Sequence, residues 1–258
     1  MRNIAKYWRA LKQHMLGSIV RVNTNQALIS LTFDDGPDPD VTPILLSILK
    51  KYRAKATFFM VGKEARRFPA LVARVHAEGH AIGNHSWDHP SFPLITSNLR
   101  RRQILDCKTA LTPFGTKIFR PPFGHLNLSA RLEAMWLGYD IVLFDVVAED
   151  WSAHNAEWMV AKLMREIRPG SIVLFHDALY YVFDDDYADR HVMLTAVEEL
   201  LARLSGEYQF VTIPQLLKCG TPVRKLLYRK ESRQWINGLK RPYPKNQPLD
   251  HQFTDTDG

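Results

Sequence analysis

A chain of 258 residues, 46% hydrophobic and 24% charged, is not a disordered polypeptide and has enough apolar material for a sizeable core. Its net charge of +7 sits at the two ends: residues 1–27 hold five Lys/Arg and no acid, and residues 220–258 hold eight Lys/Arg against four acids. The middle is therefore net −2, which excludes a nucleic-acid-binding body, although a basic arm can still approach an anionic surface.

Residues 1–27 read as a basic amphipathic N-terminal helix. Ile4, Tyr7, Trp8, Leu11, Met15 and Ile19 project onto one face, and Arg2, Lys6, Arg9 and Gln13 lie opposite. Such a helix either packs on the body or lies on an anionic membrane. No apolar run approaches the ~18 residues of a spanning helix, and the start lacks the apolar stretch and cleavage site of a secretory signal. The expectation is a cytoplasmic protein, with peripheral contact at the inner face of the membrane through this helix. Only two cysteines, Cys107 and Cys219, are present. They cannot build a disulfide scaffold and lack zinc-site spacing, so reduced thiols are expected.

From Leu28 onward, short apolar runs alternate with helical patterns. Strands are expected at Leu28–Phe33, Thr57–Val61, Ala81–Gly83, Ile118–Arg120, Asp140–Phe144, Ile172–Phe175 and Gln209–Thr212. Helices are expected near 43–53, 69–78, 97–111, 128–137, 155–168 and 191–204. The first helix opens with Thr42-Pro43, a cap followed by proline, and the helix near 155–168 stops at Pro169-Gly170. Strand–helix alternation argues for parallel strands, and seven units in about 190 residues suit a small (β/α) barrel. Residues 28–219 form that barrel, and 220–258 read as a basic flexible tail.

In a parallel barrel, reactive groups collect where strands end. Five ends here deliver ionisable side chains: Asp34-Asp35 after Phe33, His85 to His89 after Asn84, Arg120 after Phe119, Asp145 and Glu149-Asp150-Trp151 after Phe144, and His176-Asp177 after Phe175. Each alone has a structural explanation, but five together favour a site. The four-residue spacing of His85 and His89 can place both imidazoles on one face of a helical turn. Asp34 and Asp35 are adjacent, so in an extended strand they point apart. At a strand terminus one can bind a metal while its neighbour faces substrate. Asp, His, His and water make up an open catalytic divalent site, and the spare carboxylate can serve as general base.

These motifs resemble the polysaccharide deacetylases with the NodB-homology domain, carbohydrate esterase family 4. The resemblance spans roughly residues 28–215. Thr32-Phe33-Asp34-Asp35-Gly36, His85-Ser86-Trp87-Asp88-His89, Arg120-Pro121-Pro122-Phe123, Asp150-Trp151 and Leu174-Phe175-His176 follow the family's motifs in order. It implies a single catalytic domain with a distorted (β/α)7–8 barrel, which hydrolyses N-acetyl groups on sugars and releases acetate. It also implies roles. Asp35, His85 and His89 would hold a divalent metal, zinc first, with cobalt, nickel or manganese as alternatives. Asp34 would be the base that activates water, paired with Arg120. The backbone N–H of Phe123 would meet the oxyanion. His176 would protonate the leaving amine, oriented by Asp150. Leu174 and Trp151 would wall a pocket for the acetyl methyl. In one departure, Val147 stands where the fourth motif commonly has another Asp, and the nearest upstream acid is Asp145.

The partner implied is an N-acetylated carbohydrate. A deformylase or amidase on a small non-polymeric substrate would use the same chemistry. A catalytically silent carbohydrate-binding barrel would not need Asp34, the metal ligands and His176 together. The loop Ala178–Asp186 reads as solvated with buried aromatics, and His80 and Trp136 read as structural.

Overall fold

The computed structural model describes residues 13–182 and 188–227, together with Trp8, Leu11, Gln234 and residues 237–239. A curled, mostly parallel sheet runs in the order β6-β5-β4-β3-β2-β8-β7, with β9 pairing separately with β2. Its strands are β2 (Leu28–Asp34), β3 (Ala56–Met60), β4 (Ala81–Asn84), β5 (Gly115–Phe119), β6 (Asp140–Ile141), β7 (Val146–Val147), β8 (Ile172–His176) and β9 (Gln209–Phe210). Helices α1 (Thr42–Lys51), α2 (Gly62–Arg67), α3 (Pro69–Ala77), α4 (Ser97–Leu111), α5 (Leu128–Trp136), α6 (Ala156–Glu166), α7 (His191–Leu204) and α8 (Ile213–Leu216) connect them. This curled half-barrel is the form that the expected distorted (β/α) barrel takes. Every residue of β2 and β3 is buried, because a parallel strand with both faces covered has no solvent side. Phe33, Phe58 and Phe175 stack behind the sheet with ring centroids 5.3 and 5.7 Å apart. Burying a large apolar side chain contributes roughly 1.5–3 kcal/mol, so this layer supplies much of the driving force for sheet closure.

The expected strands and helices are found to within a few residues, with instructive exceptions. The run Asp140–Phe144 leaves the ladder after Ile141. The carbonyls of Val142 and Leu143 instead accept hydrogen bonds from Nε and Nη2 of Arg120, at 3.2 and 3.0 Å. A buried guanidinium takes the acceptors that a longer strand would have used.

Ile19, projected onto the N-terminal helix, lies instead in β1 (Ser18–Asn23); of the segment before it, residues 13–16 are helical. β1 pairs antiparallel with β10 (Thr221–Lys225), so 221–225 are strand rather than tail. This ribbon bridges Val142, just after β6, and Ser171, just before β8. The rest of the expected tail, beyond Leu227 apart from four residues, lies outside the described residues, as do residues 1–7 and Phe183–Asp186 of the loop after β8. His80 is structural as expected: its Nδ1 accepts the amide of Ala56, and burial lowers its pKa to about 4. Trp136 is not structural, since it is 80% exposed. Among the described residues no helix is long and apolar enough to cross a membrane.

Candidate active site

Register brings the first two groups together. β2 and β8 pair in parallel with Thr32 opposite Leu174 and Asp34 opposite His176. Neighbouring strands lie about 4.8 Å apart, so Asp34 and His176 project side by side from adjacent strand ends on the same face. Asp35 should point away by strand alternation. Its backbone takes φ 76°, a left-handed conformation that breaks the alternation and turns its carboxylate toward the same space.

Left-handed non-glycine residues recur around this space: Ser86 (φ 68°), His89 (61°) and Phe123 (58°). Strained backbone of this kind, roughly 1–3 kcal/mol per residue, persists only where surrounding structure enforces it. His85 and His89 therefore do not share a face of a helical turn. They lie in an irregular loop after β4, and the left-handed residues fold that loop back on itself.

The loop aims Nε2 of His85 and of His89 at the same atom, Oδ1 of Asp35, each 3.2 Å away. That oxygen is buried and has no aligned hydrogen-bond donor. His85 Nδ1 lies 2.8 Å from the carbonyl oxygen of Arg120 and donates its proton there, which fixes the ring's orientation with Nε2 facing Asp35. Burial lowers the pKa of His89, against the opposing pull of Asp35, and so favours a neutral ring. Burial pushes Asp35 up, but His89 and the two imidazole contacts outweigh it and hold the carboxyl well below its ordinary value. A carboxylate and two imidazoles, with one donor atom each within 4.8 Å of one another, can hold a divalent cation. The orphaned Asp35 Oδ1 is the observation that fits a cation there. The other oxygen, Oδ2, accepts the amide of Tyr180 at 2.9 Å.

Arg120 Nη1 donates to Asp34 Oδ1 at 2.7 Å and to Thr32 Oγ1 at 2.8 Å. Its guanidinium lies 4.1 Å from the centroid of the Phe59 ring. Asp34 Oδ2 stays directed at the Asp35–His85–His89 cluster, 3.8 Å from His85 Nε2. Burial lowers the Arg120 pKa and Asp34 opposes it. Both partners are buried, so removing either leaves an uncompensated charge.

On the other flank, His176 Nδ1 lies 2.9 Å from Asp150 Oδ1, and the His176 amide donates to Asp150 Oδ2 at 2.8 Å. Burial alone would lower the His176 pKa. Asp150 overrides it, ahead of Asp35 and Asp34, and raises the value to about 9. Burial raises Asp150, but His176 and then Arg190 outweigh it and hold it below its ordinary value. Trp151, 36% exposed, meets the His176 ring edge-on at 5.3 Å, and Leu174 is buried on the same strand. The Phe123 ring packs against His89 at 4.5 Å.

All ten residues expected at the site thus converge on one end of the barrel. Asp145 does not. It lies at the opposite end, where it accepts the amide of Ile172 and the hydroxyl of Ser171. Asp88 also turns away and accepts a hydrogen bond from Gln103 Nε2. Sequence reasoning missed Arg190, whose Nη2 donates to the Asp150 carbonyl at 2.5 Å and whose Nη1 lies 3.3 Å from Asp150 Oδ2. This lone Arg, forty residues downstream of Asp150, carries no local signal. It flanks Asp150, where Val147 supplies no acid. Of the loop's aromatics, Tyr180 is buried as expected, and Tyr180 and Tyr181 lie 5.6 and 5.8 Å from the His89 ring. A cleft of about 400 Å³ opens beside Asp35, between Asp38, Arg67, Leu179 and Tyr180.

The polysaccharide deacetylase family profile matches residues 21–142. A peptidoglycan-N-acetylglucosamine deacetylase of Bacillus cereus is 36% identical over 202 residues, 76% of this chain and 91% of the relative. The chain belongs to the polysaccharide deacetylase family. Another member, the peptidoglycan-N-acetylmuramic acid deacetylase PdaC of Bacillus subtilis, is 34% identical over 199 residues, or 76% of this chain. The chain spans only 40% of that relative's length. In structure it is similar to the Bc1960 peptidoglycan N-acetylglucosamine deacetylase, with a TM-score of 0.75 and 28% identity, covering 84% of this chain and 99% of the other. The half-barrel is thus the family's fold.

Proposed function

We propose that the protein is a metal-dependent hydrolase that removes N-acetyl groups from N-acetylated sugars and releases acetate. The observation that carries this reading is the pairing of Asp34 and His176 on adjacent strands beside the Asp35–His85–His89 cluster. An amide needs a base to activate water and an acid to protonate its departing nitrogen, and these two groups flank one space.

Asp35, His85 and His89 would hold the cation, and two imidazoles with one carboxylate suit zinc. A divalent cation there supplies Lewis-acid polarisation of the acetyl carbonyl. Asp34 Oδ2 takes the proton of the attacking water, while Arg120 holds Oδ1 and fixes the carboxylate's orientation. His176, kept protonated by Asp150, delivers its proton to the amine from the opposite flank. Leu174 and Trp151 enclose the acetyl methyl, and the Phe123 amide stabilises the developing oxyanion. A silent binding barrel would have no use for a base, an acid and their two charged partners around the same cluster.

The test is acetate release from a panel of N-acetylglucosamine oligosaccharides, peptidoglycan fragments and small N-acyl metabolites, with and without chelator. Turnover on the sugars, lost on chelation and restored by zinc or cobalt, is expected. Full activity in a metal-free preparation, or turnover confined to the small N-acyl compounds, would overturn the reading.

A further inference from the structure

The chain leaves the sheet after β4, so the loop that carries His85 and His89 has no strand to pair its amides. Each of the four amides from Ser86 to His89 donates instead to a side-chain oxygen. Ser86 donates to Asn84 Oδ1 at 2.9 Å, and His89 to Ser86 Oγ at 3.1 Å. Trp87 and Asp88 both donate to Oε1 of Gln103, at 2.9 and 3.1 Å. Two donors converging on one atom identify it as the amide oxygen, and Gln103 Nε2 accordingly donates to Asp88 Oδ1 at 2.7 Å. Asn84 and Ser86 belong to the strand and loop themselves. Of these three side chains only Gln103, buried on α4, comes from another element.

That element is well placed to hold the loop. The carbonyl of Ile104, the next residue on α4, accepts Asn84 Nδ2 at 2.8 Å. On the other side, the first amides of α2, Gly62 and Lys63, donate to the carbonyls of Ser86 and Trp87 at 2.9 Å each. The two helices are packed so closely that a Cβ on Gly62 would lie 2.7 Å from Cys107 Cα on α4.

His89 shows why the loop must be held. A metal-binding imidazole ordinarily donates its second N–H to an oxygen that fixes the ring. His85 does so, to the Arg120 carbonyl. His89 Nδ1 is buried and has no hydrogen-bond partner among the described residues. The direction of its ring therefore depends on the backbone that carries it and on aromatic packing such as that with Phe123. That backbone is left-handed at Ser86 and at His89, a conformation that persists only where its surroundings enforce it.

We propose that Gln103 is a positioning residue for the cation site. By holding the Trp87 and Asp88 amides, midway between the two histidines, it keeps Nε2 of His85 and of His89 converged on Asp35. The inference rests on the metal reading of the Asp35–His85–His89 cluster.

The test is the zinc affinity of the metal-free full chain, measured by competition with a colorimetric chelator. It is joined by the visible spectrum of the cobalt-loaded protein and the thermal melt of the metal-free one. Gln103→Leu removes the acceptor of both loop amides. Gln103→Glu keeps that acceptor but sets a second carboxylate against Asp88. Each should weaken zinc binding by about tenfold or more and shift the cobalt band. Asp88→Asn alone retains an oxygen for Gln103 Nε2 and should bind zinc as the wild type does. Combined with Gln103→Glu, the same substitution supplies a donor to the new carboxylate, and both affinity and spectrum should return to near the wild-type values. If Gln103→Leu fails to melt cooperatively, Gln103→Glu and the double variant carry the comparison. A role confined to packing α4 would lower the metal-free Tm of the Gln103 variants and leave zinc affinity and the cobalt band unchanged. That result, or a double variant that binds zinc no better than Gln103→Glu, would overturn the proposal alone. A wild type that binds no zinc would overturn the metal reading itself, and the proposal with it.

Discussion

Replacing Asp150 by Asn tests how the acid is maintained. In the folded protein Asp150 accepts two hydrogen bonds from His176 and is the largest influence holding its pKa near 9. Without that charge, burial pulls the imidazole toward or below its ordinary value of 6.5. At pH 7.5 the protonated fraction would fall from nearly all at pKa 9 to roughly a tenth at 6.5, so rate on an amide should drop at least about tenfold. The alkaline limb of the kcat/KM profile should move down by about two pH units or more. An activated acetyl ester, whose leaving group departs unprotonated, should lose much less. The assay is the pH profile of wild type, Asp150→Asn and His176→Ala on an N-acetyl oligosaccharide and on 4-nitrophenyl acetate. Stability gives a second readout of the same pair. A raised folded-state pKa stabilises fully below 6.5 and is lost as pH rises through about 9, an effect of about 3 kcal/mol at most. Urea stability of the wild type should therefore fall between pH 6.5 and 9, and that of Asp150→Asn should not. Equal loss on amide and ester, with an unmoved alkaline limb, would refute the acid role.

Three further substitutions follow from the geometry. Asp34→Asn should keep its metal content, measured by elemental analysis, while kcat falls on the order of 10²–10⁴-fold; parallel loss of metal and activity would make Asp34 a ligand. Asp177, buried beneath Gly36, has its pKa raised to about 7, chiefly by burial. The protonated form is favoured by folding, so wild-type stability should decline as pH rises from 4 to 7. Asp177→Asn should abolish that decline in thermal melts, giving a Tm at pH 8 no lower than wild type. Gly36→Ala would place its Cβ 2.3 Å from Asp177 Oδ2. Melting should show a loss of about 1–3 kcal/mol, and metal affinity should fall, because the displaced turn carries Asp34 and Asp35; unchanged metal binding would refute the role of that tight contact.

What the sequence determined by itself was the alternation of elements and the chemistry at strand ends. Apolar runs such as Ile172–Phe175 and the caps around Thr42 and Pro169 are local signals, readable because helix and strand periods and proline's constraints act over a few residues. Parallel strands then oblige Asp34, His85, Arg120 and His176 to emerge at one end. Tertiary structure decided the rest. Whether Asp35 joins Asp34 depends on a left-handed φ that the enclosing loops impose, and no pattern in Asp-Asp-Gly distinguishes this from a turn. Asp145 and Asp150 both follow the Val142–Phe144 run, yet only pairing with β8 separates one to each end of the barrel. Arg190 reaches Asp150 from forty residues downstream, and β1 meets β10 across some two hundred residues. Such contacts are selected by shape and charge when the whole chain packs, so their partners leave no mark on one another's local sequence.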